Sequence, residues 1–162
     1  MHLDRFRAAG RALLTTLAVA ALAAATGAAQ GAHEAVPAHA RLTLRSSDYG
    51  KVIFDSRARV LYVFSADRGS TSNCYSACAK AWPPMLTKGA PTAGPGVNAK
   101  LLGTTKRKNG SLQVTYNGHP LYYYEADKRG EIMCQHANMH GGLWFVVKAN
   151  GTANKAKSKT HM

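Results

Sequence analysis

Soft sulfur and imidazole donors are concentrated in one stretch of this chain, Met133-Cys134-Gln135-His136, followed closely by Met139 and His140. Thioether, thiolate and imidazole ligands suit copper(I) or haem iron. Met133, Cys134, His136 and His140 are therefore the candidate metal ligands of an alternative function, an extracytoplasmic copper- or haem-linked redox protein. His136 and His140 share one face only if that stretch is helical. Their spacing matches no standard metal signature, so the first expectation is a protein without a cofactor. The other cysteines are Cys74 and Cys78. Three cysteines allow one disulfide and leave one thiol. Bridging Cys74 to Cys78 at the start of a helix requires an irregular first turn that lets the Cβ vectors converge. Bridging Cys134 to either one would instead close a loop of about 60 residues, which stabilises by roughly 4 kcal/mol. The spacing leaves both pairings open.

A second constellation occurs twice. Tyr62, Phe64 and Asp67 stand in LYVFSAD, and Tyr122, Tyr124 and Asp127 stand in LYYYEAD. On a strand, the tyrosine and the second aromatic share one face, and an Asp at the strand end accepts backbone N–H groups in the following turn. That is a structural role. The competing role is a groove of aromatic strips for a planar or sugar ligand, with Asp67 and Asp127 as polar anchors. Catalysis is not expected. The chain has no Gly-x-Ser-x-Gly elbow, no His-Glu-x-x-His and no phosphate-cradling glycine loop, and a thiol oxidoreductase more naturally carries Cys-x-x-Cys than Cys-x-x-x-Cys.

These motifs belong to a longer repeat. Positions 42–74 align on 102–134 at an offset of 60 without a gap, with Leu42/Leu102, Gly50/Gly110, Leu61/Leu121, Tyr62/Tyr122, Ala66/Ala126, Asp67/Asp127 and Cys74/Cys134 identical. Trp82 and Trp144 follow at nearly the same spacing. Asn-Gly pairs at 109–110 and 117–118 favour tight turns between antiparallel strands. Strands are thus expected near 101–107, 111–116 and 119–125, and near 41–46, 51–55 and 59–65 in the first copy. Leu61 and Val63 should face one way, Tyr62 and Phe64 the other. After the Asp the copies diverge. Ser70 to Asn73 offer N-caps for a short helix over CYSACAKAW, stopped by Pro83-Pro84, whereas LWFVVKANG reads as a closing strand. Neither copy alone buries enough surface, so one fused core is expected.

The 162 residues carry 21 Lys+Arg against 8 Asp+Glu, a formal charge of +13. Such a surface attracts anions. The excess is visible at Lys106-Arg107-Lys108 and at Lys155, Lys157 and Lys159, stretches that read equally as solvated loop and tail or as a polyanion contact. Arg5, Arg7 and Arg11 precede an uncharged apolar run, Ala12 to Ala25, and then small residues, which is the layout of a secretory signal. The run is short for a membrane span, and no cysteine near the cut is available for lipidation. Export makes nucleic acid an unexpected partner.

The order YGKVIFDSRARVLYVFSAD, CYSACAKAWPP, LLGTTKRKNGSLQVTYNGHPLYYYEAD, CQ and GGLWFVV resembles a bacterial secreted-repeat family. Its members are often described as predicted lipoproteins with a Tyr-x-(Phe/Trp/Tyr)-x-x-Asp motif. The resemblance covers about positions 42–151 and implies a secreted, duplicated architecture. It also implies the Cys74–Cys78 pairing, because forms with only this Cys-x-x-x-Cys pair occur in the family. It assigns no reaction, and the missing lipobox cysteine departs from the anchored members. The expected organisation is a signal peptide over 1–31, a flexible lead-in over 32–40, a first repeat over 41–86, a linker over 87–97, a second repeat over 98–151 and a basic disordered tail over 152–162. The expected fold is mostly β (α+β): tandem antiparallel units with one short helix after the first copy, fused into one domain. The expected function is a secreted, cationic, non-catalytic binding module of the cell envelope, whose partner is an anionic envelope polymer, an anionic lipid surface or an envelope protein.

Overall fold

A computed structural model describes residues 35–157. The expected signal peptide, the first residues of the lead-in and the last of the tail lie outside the described residues. Ten strands and one short helix follow in order: β1 Arg41–Ser47, β2 Gly50–Asp55, β3 Tyr62–Phe64, α1 Ala77–Ala81, β4 Leu86–Thr87, β5 Thr92–Ala93, β6 Leu102–Lys106, β7 Leu112–Tyr116, β8 His119–Pro120, β9 Ala137–Met139 and β10 Gly142–Val146. The strands expected from the Asn-Gly turns and the repeat offset are present, except that 59–65 is cut to β3 with a bridge at Val60, and 119–125 to β8 with a bridge at Tyr122.

Each copy is a hairpin followed by a third extended segment. β1 pairs antiparallel with β2 from Leu42–Asp55 to Ser47–Gly50, and β6 with β7 from Leu102–Tyr116 to Lys106–Leu112. The partner of residue 42 is thus 55, but the partner of 102 is 116. The turn after β6 holds one extra residue and the turn after β7 one fewer, because Phe54 bridges Val60 while Thr115 pairs with Pro120. The gap-free offset of 60 is therefore one residue out through β7, and returns to register by Leu121. Two compensating turn changes keep each strand's faces intact, since a one-residue slip would otherwise turn core side chains outward.

The copies exchange their closing segments. β10 of the second copy pairs with β3 of the first, placing Trp144 opposite Phe64 and Val146 opposite Tyr62. Reciprocally, the segment after α1 runs beside the third segment of the second copy: the Tyr123 N–H donates to the Pro83 carbonyl at 2.8 Å, and the Met85 N–H to the Leu121 carbonyl at 2.9 Å. At the centre the Tyr62 N–H donates to the Tyr122 carbonyl at 2.9 Å and the Tyr122 N–H to the Tyr62 carbonyl at 3.0 Å. A residue that exchanges both bonds with its own repeat-mate marks a local two-fold axis.

Because these central segments are covered on both sides, their alternation feeds two hydrophobic clusters. Leu61, Val63 and Leu121 join Leu42, Ile53, Val114 and Phe145 in one. Tyr62, Phe64 and Tyr122 join Val52, Trp82, Trp144 and Val146 in the other. Both clusters draw on both copies, so the core is shared. Three expectations change at the margins. The 87–97 linker carries β5, which pairs parallel with β1, and in the lead-in Ala40 is buried and the Lys88 N–H donates to the Pro37 carbonyl. The start of the tail is docked as well: Asn154 is buried, its N–H donates to the Val146 carbonyl, and its side-chain amide donates to the Tyr49 carbonyl at 2.9 Å. Backbone hydrogen bonds to strand edges recruit these segments despite their weakly hydrophobic composition.

Candidate functional site

The six motif residues converge on the two-fold, with partners exchanged between copies. The Tyr62 hydroxyl donates to Asp127 Oδ2 at 2.6 Å, and the Tyr122 hydroxyl lies 2.8 Å from Asp67 Oδ2. Each Asp also accepts a backbone N–H in its own turn, Asp67 Oδ1 from Asn73 at 2.8 Å and Asp127 Oδ1 from Met133 at 3.0 Å. The turn role expected for both Asp residues is therefore present, joined by a bond across the copies that local sequence does not announce. Burial is the largest influence on both carboxyls and raises their pKa above the ordinary carboxylate range; the bonds from Tyr122 and Asn73, and from Tyr62 and Met133, oppose it. Tyr62 and Tyr122 are raised above the usual phenol range, first by burial and then by the facing carboxylate, so both stay protonated donors.

The rings do not line a groove. Trp82 and Trp144 stack face to face at 3.9 Å with planes 4° apart, Phe64 stacks on Trp144 at 4.1 Å, and Tyr124 lies on Trp82 at 4.7 Å. Tyr62 and Tyr122 meet the two tryptophans edge-on at 5.1 and 5.2 Å. Each such pair contributes about 0.5–1.5 kcal/mol beyond the area it buries. The spacing of Trp82 and Trp144 after each motif was the sequence signal for this stack. The Trp144 indole N–H donates to the Met139 carbonyl at 3.1 Å, while that of the fully buried Trp82 has no acceptor among the described residues.

The sulfurs separate. Cys74 and Cys78 form the disulfide, with Cα atoms 5.2 Å apart, and Cys134 is free. The irregular first turn this requires is Ser76, whose φ is +52° immediately before α1. None of the expected N-caps at Ser70 to Asn73 caps α1; the N-cap is Ser76, without a side-chain bond. Ser72 instead lies 2.7 Å from the Tyr122 hydroxyl and accepts from Arg107 Nη1 at 3.0 Å. A bridge from Cys134 to the first copy is ruled out by the pairing found.

Arg107 departs from both readings of its basic triplet, solvated loop and polyanion contact. It is buried, donating to Gln113 Oε1 at 2.5 Å and to the Cys74 carbonyl at 2.6 Å as well as to Ser72. Its positive charge also opposes the burial-driven rise in the pKa of Asp67. The extra residue in the β6–β7 turn delivers this side chain, and no local pattern distinguishes it from its lysine neighbours.

The candidate metal ligands are strung along an extended segment. The segment between His136 and His140 is β9, not a helix turn, and both histidines have positive φ at its ends, +61° and +54°. The His136 ring sits edge-on to Phe145 at 5.3 Å, Met133 is 60% exposed, and Cys134 lies against Tyr124. Among the described residues, no group of three or more His, Cys, Asp or Glu side chains is placed to hold one metal ion. Recesses among the described residues lie elsewhere. One of about 240 Å³ lies between Pro37, His39, Asp55, Arg59, Pro84 and Tyr123. Another, about 660 Å³ and open, lies between Tyr49, Lys128, Ile132 and Met133.

A family model described as a secreted repeat of unknown function matches residues 43–85 and 103–148, more than half of the chain. This protein belongs to that family of secreted repeats. Its two matched stretches are the two units exchanging closing segments around Tyr62 and Tyr122. No curated protein and no solved structure matches the chain. Among the described residues no helix is long and apolar enough to cross a membrane.

Proposed function

We propose that this secreted repeat protein is a non-catalytic, cationic module that binds a polyanion of the cell envelope. The observation that carries the reading is where its carboxylates go. Asp67 and Asp127 are held by the exchanged tyrosines, and Asp55 is buried, accepting from the Arg57 and Arg59 N–H groups, from Arg59 Nε at 2.9 Å and from the Tyr123 hydroxyl at 3.2 Å. Half of the six carboxylates in residues 35–157 thus serve the interior, leaving Asp48, Glu125 and Glu131 exposed. Of the many basic residues in the same span, only Arg107 is buried. The outer surface is therefore more cationic than the composition suggests, and it attracts anionic chains over about a Debye length, 8–10 Å at ordinary salt.

Passing the protein over immobilised inorganic polyphosphate and over phosphatidylglycerol vesicles, with a salt gradient, tests this. Retention that salt releases and that Lys106→Glu with Lys108→Glu weakens supports the reading. Flow-through at low salt on both overturns it. Retention on vesicles alone selects a lipid surface over a polymer.

A further inference from the structure

Around the two-fold, the repeats differ where oxidation chemistry is concerned. In the first copy the outer ring of the stack is Phe64, and Cys74 is closed in a disulfide with Cys78. In the second the outer ring is Tyr124, position 138 is Asn, and Cys134 is a free thiol. One end of the stack is inert and the other ends on a phenol beside a thiol. Between them run two indoles in near-parallel contact at 3.9 Å, with Tyr124 on Trp82 at 4.7 Å, and Tyr124 and Cys134 both pack against the buried cluster that holds the indoles, near enough for the thiol to raise the phenol's pKa. Trp82 and Trp144 are wholly buried, whereas Tyr124 and Cys134 are partly exposed.

We propose that Trp144, Trp82 and Tyr124 form a relay that carries one-electron oxidation to the Cys134 thiol, so that an outer-sphere one-electron oxidant reaching this protein is reduced at the expense of that sulfur. The oxidant takes one electron from the stacked indoles and leaves an indole radical cation. The buried Trp82 N–H has no acceptor among the described residues to receive its proton, which keeps the electron hole mobile. Tyr124 supplies the missing electron and releases its phenolic proton to solvent. The resulting phenoxyl radical takes the hydrogen atom of the Cys134 S–H bond, which restores the phenol and leaves a thiyl radical. In sum one oxidant is reduced, one proton is released and one S–H bond is broken.

The competing expectation is that oxidation follows exposure. It would then fall first on Met133, 60% exposed, and on partly exposed Tyr75 and Tyr49. The test photogenerates tris(bipyridyl)ruthenium(III) in the presence of the whole protein and a nitrone spin trap, then locates the adducts by peptide mass spectrometry and follows the radicals by transient absorption. The relay requires that an indole radical decay as a phenoxyl radical rises, and that the main adduct lie on Cys134. Trp82→Phe should abolish the Cys134 adduct and move the products to Met133 and Tyr75. Tyr124→Phe, which keeps a ring on Trp82 and serves if Trp82→Phe does not fold, should leave a long-lived indole radical and again no Cys134 adduct. Products ranked by exposure in the unaltered protein, or a Cys134 adduct that survives Tyr124→Phe, overturn the proposal.

Discussion

Tyr62 and Asp127 lie in different copies, yet their 2.6 Å bond is the shortest link between the two motifs. Removing the hydroxyl in Tyr62→Phe takes away a charge-assisted bond and leaves Asp127 Oδ2 half-buried without its donor, a loss of about 1.5–3 kcal/mol. Asp127→Ala also frees the Met133 N–H and should cost about 1 kcal/mol more. In a double-mutant cycle the coupling between Tyr62→Phe and Asp127→Ala is therefore about 1.5–3 kcal/mol. The same-copy cycle, Tyr62→Phe with Asp67→Ala, should be additive to within about 0.5 kcal/mol, because Asp67 is bonded to Tyr122 and not to Tyr62. Urea unfolding of the four proteins in each cycle, at fixed pH and with equal slopes, supplies the free energies. Coupling in the same-copy cycle and additivity in the cross-copy cycle would refute the exchange of partners and with it the shared core.

Other outcomes follow from the same contacts. Since burial raises Asp67 and Asp127 above the ordinary carboxylate range, their contribution to stability is complete below the unfolded carboxylate pKa of about 4 and declines as pH rises through the raised folded values. The stability of the native protein relative to Asp67→Asn with Asp127→Asn should accordingly fall from pH 4 to 7, and a rise across that window in paired urea titrations would contradict it. Arg107→Met strands the Gln113 amide oxygen and the Cys74 carbonyl and should lower stability by about 3 kcal/mol, read from the shift in urea midpoint. Denatured without reductant, the chain should show one reactive thiol, mapped by alkylation to Cys134. Replacing both Cys74 and Cys78 by Ala should cost about 2 kcal/mol, the value for a five-residue loop, so a loss near the 4 kcal/mol of a 60-residue loop would point to the rejected pairing.

Strand alternation was legible in the sequence because period-two patterning is local: Leu61 and Val63 do separate from Tyr62 and Phe64. What alternation did not tell was that both faces are covered, since LYVFSAD reads alike whether one or two layers pack on it. The metal candidates are a related case. Proximity along 133–140 is not convergence once the intervening residues extend as β9 and the side chains turn to Phe145, Tyr124 and solvent. Arg107 was misplaced because a basic triplet carries no sign of which member an extra turn residue will fold inward.

The chain's own residues, taken in order, determined the duplication, the β character, the turn-capping Asp in each copy and the presence of one unpaired sulfur, since each depends on identity and spacing within a few residues or on self-similarity. Tertiary structure alone decided that each tyrosine bonds the other copy's Asp, that the two tryptophans stack on a two-fold, and that the copies lend each other a closing segment. Those outcomes depend on which surfaces must be buried together, and two copies of one pattern satisfy their local rules equally well paired within themselves or across.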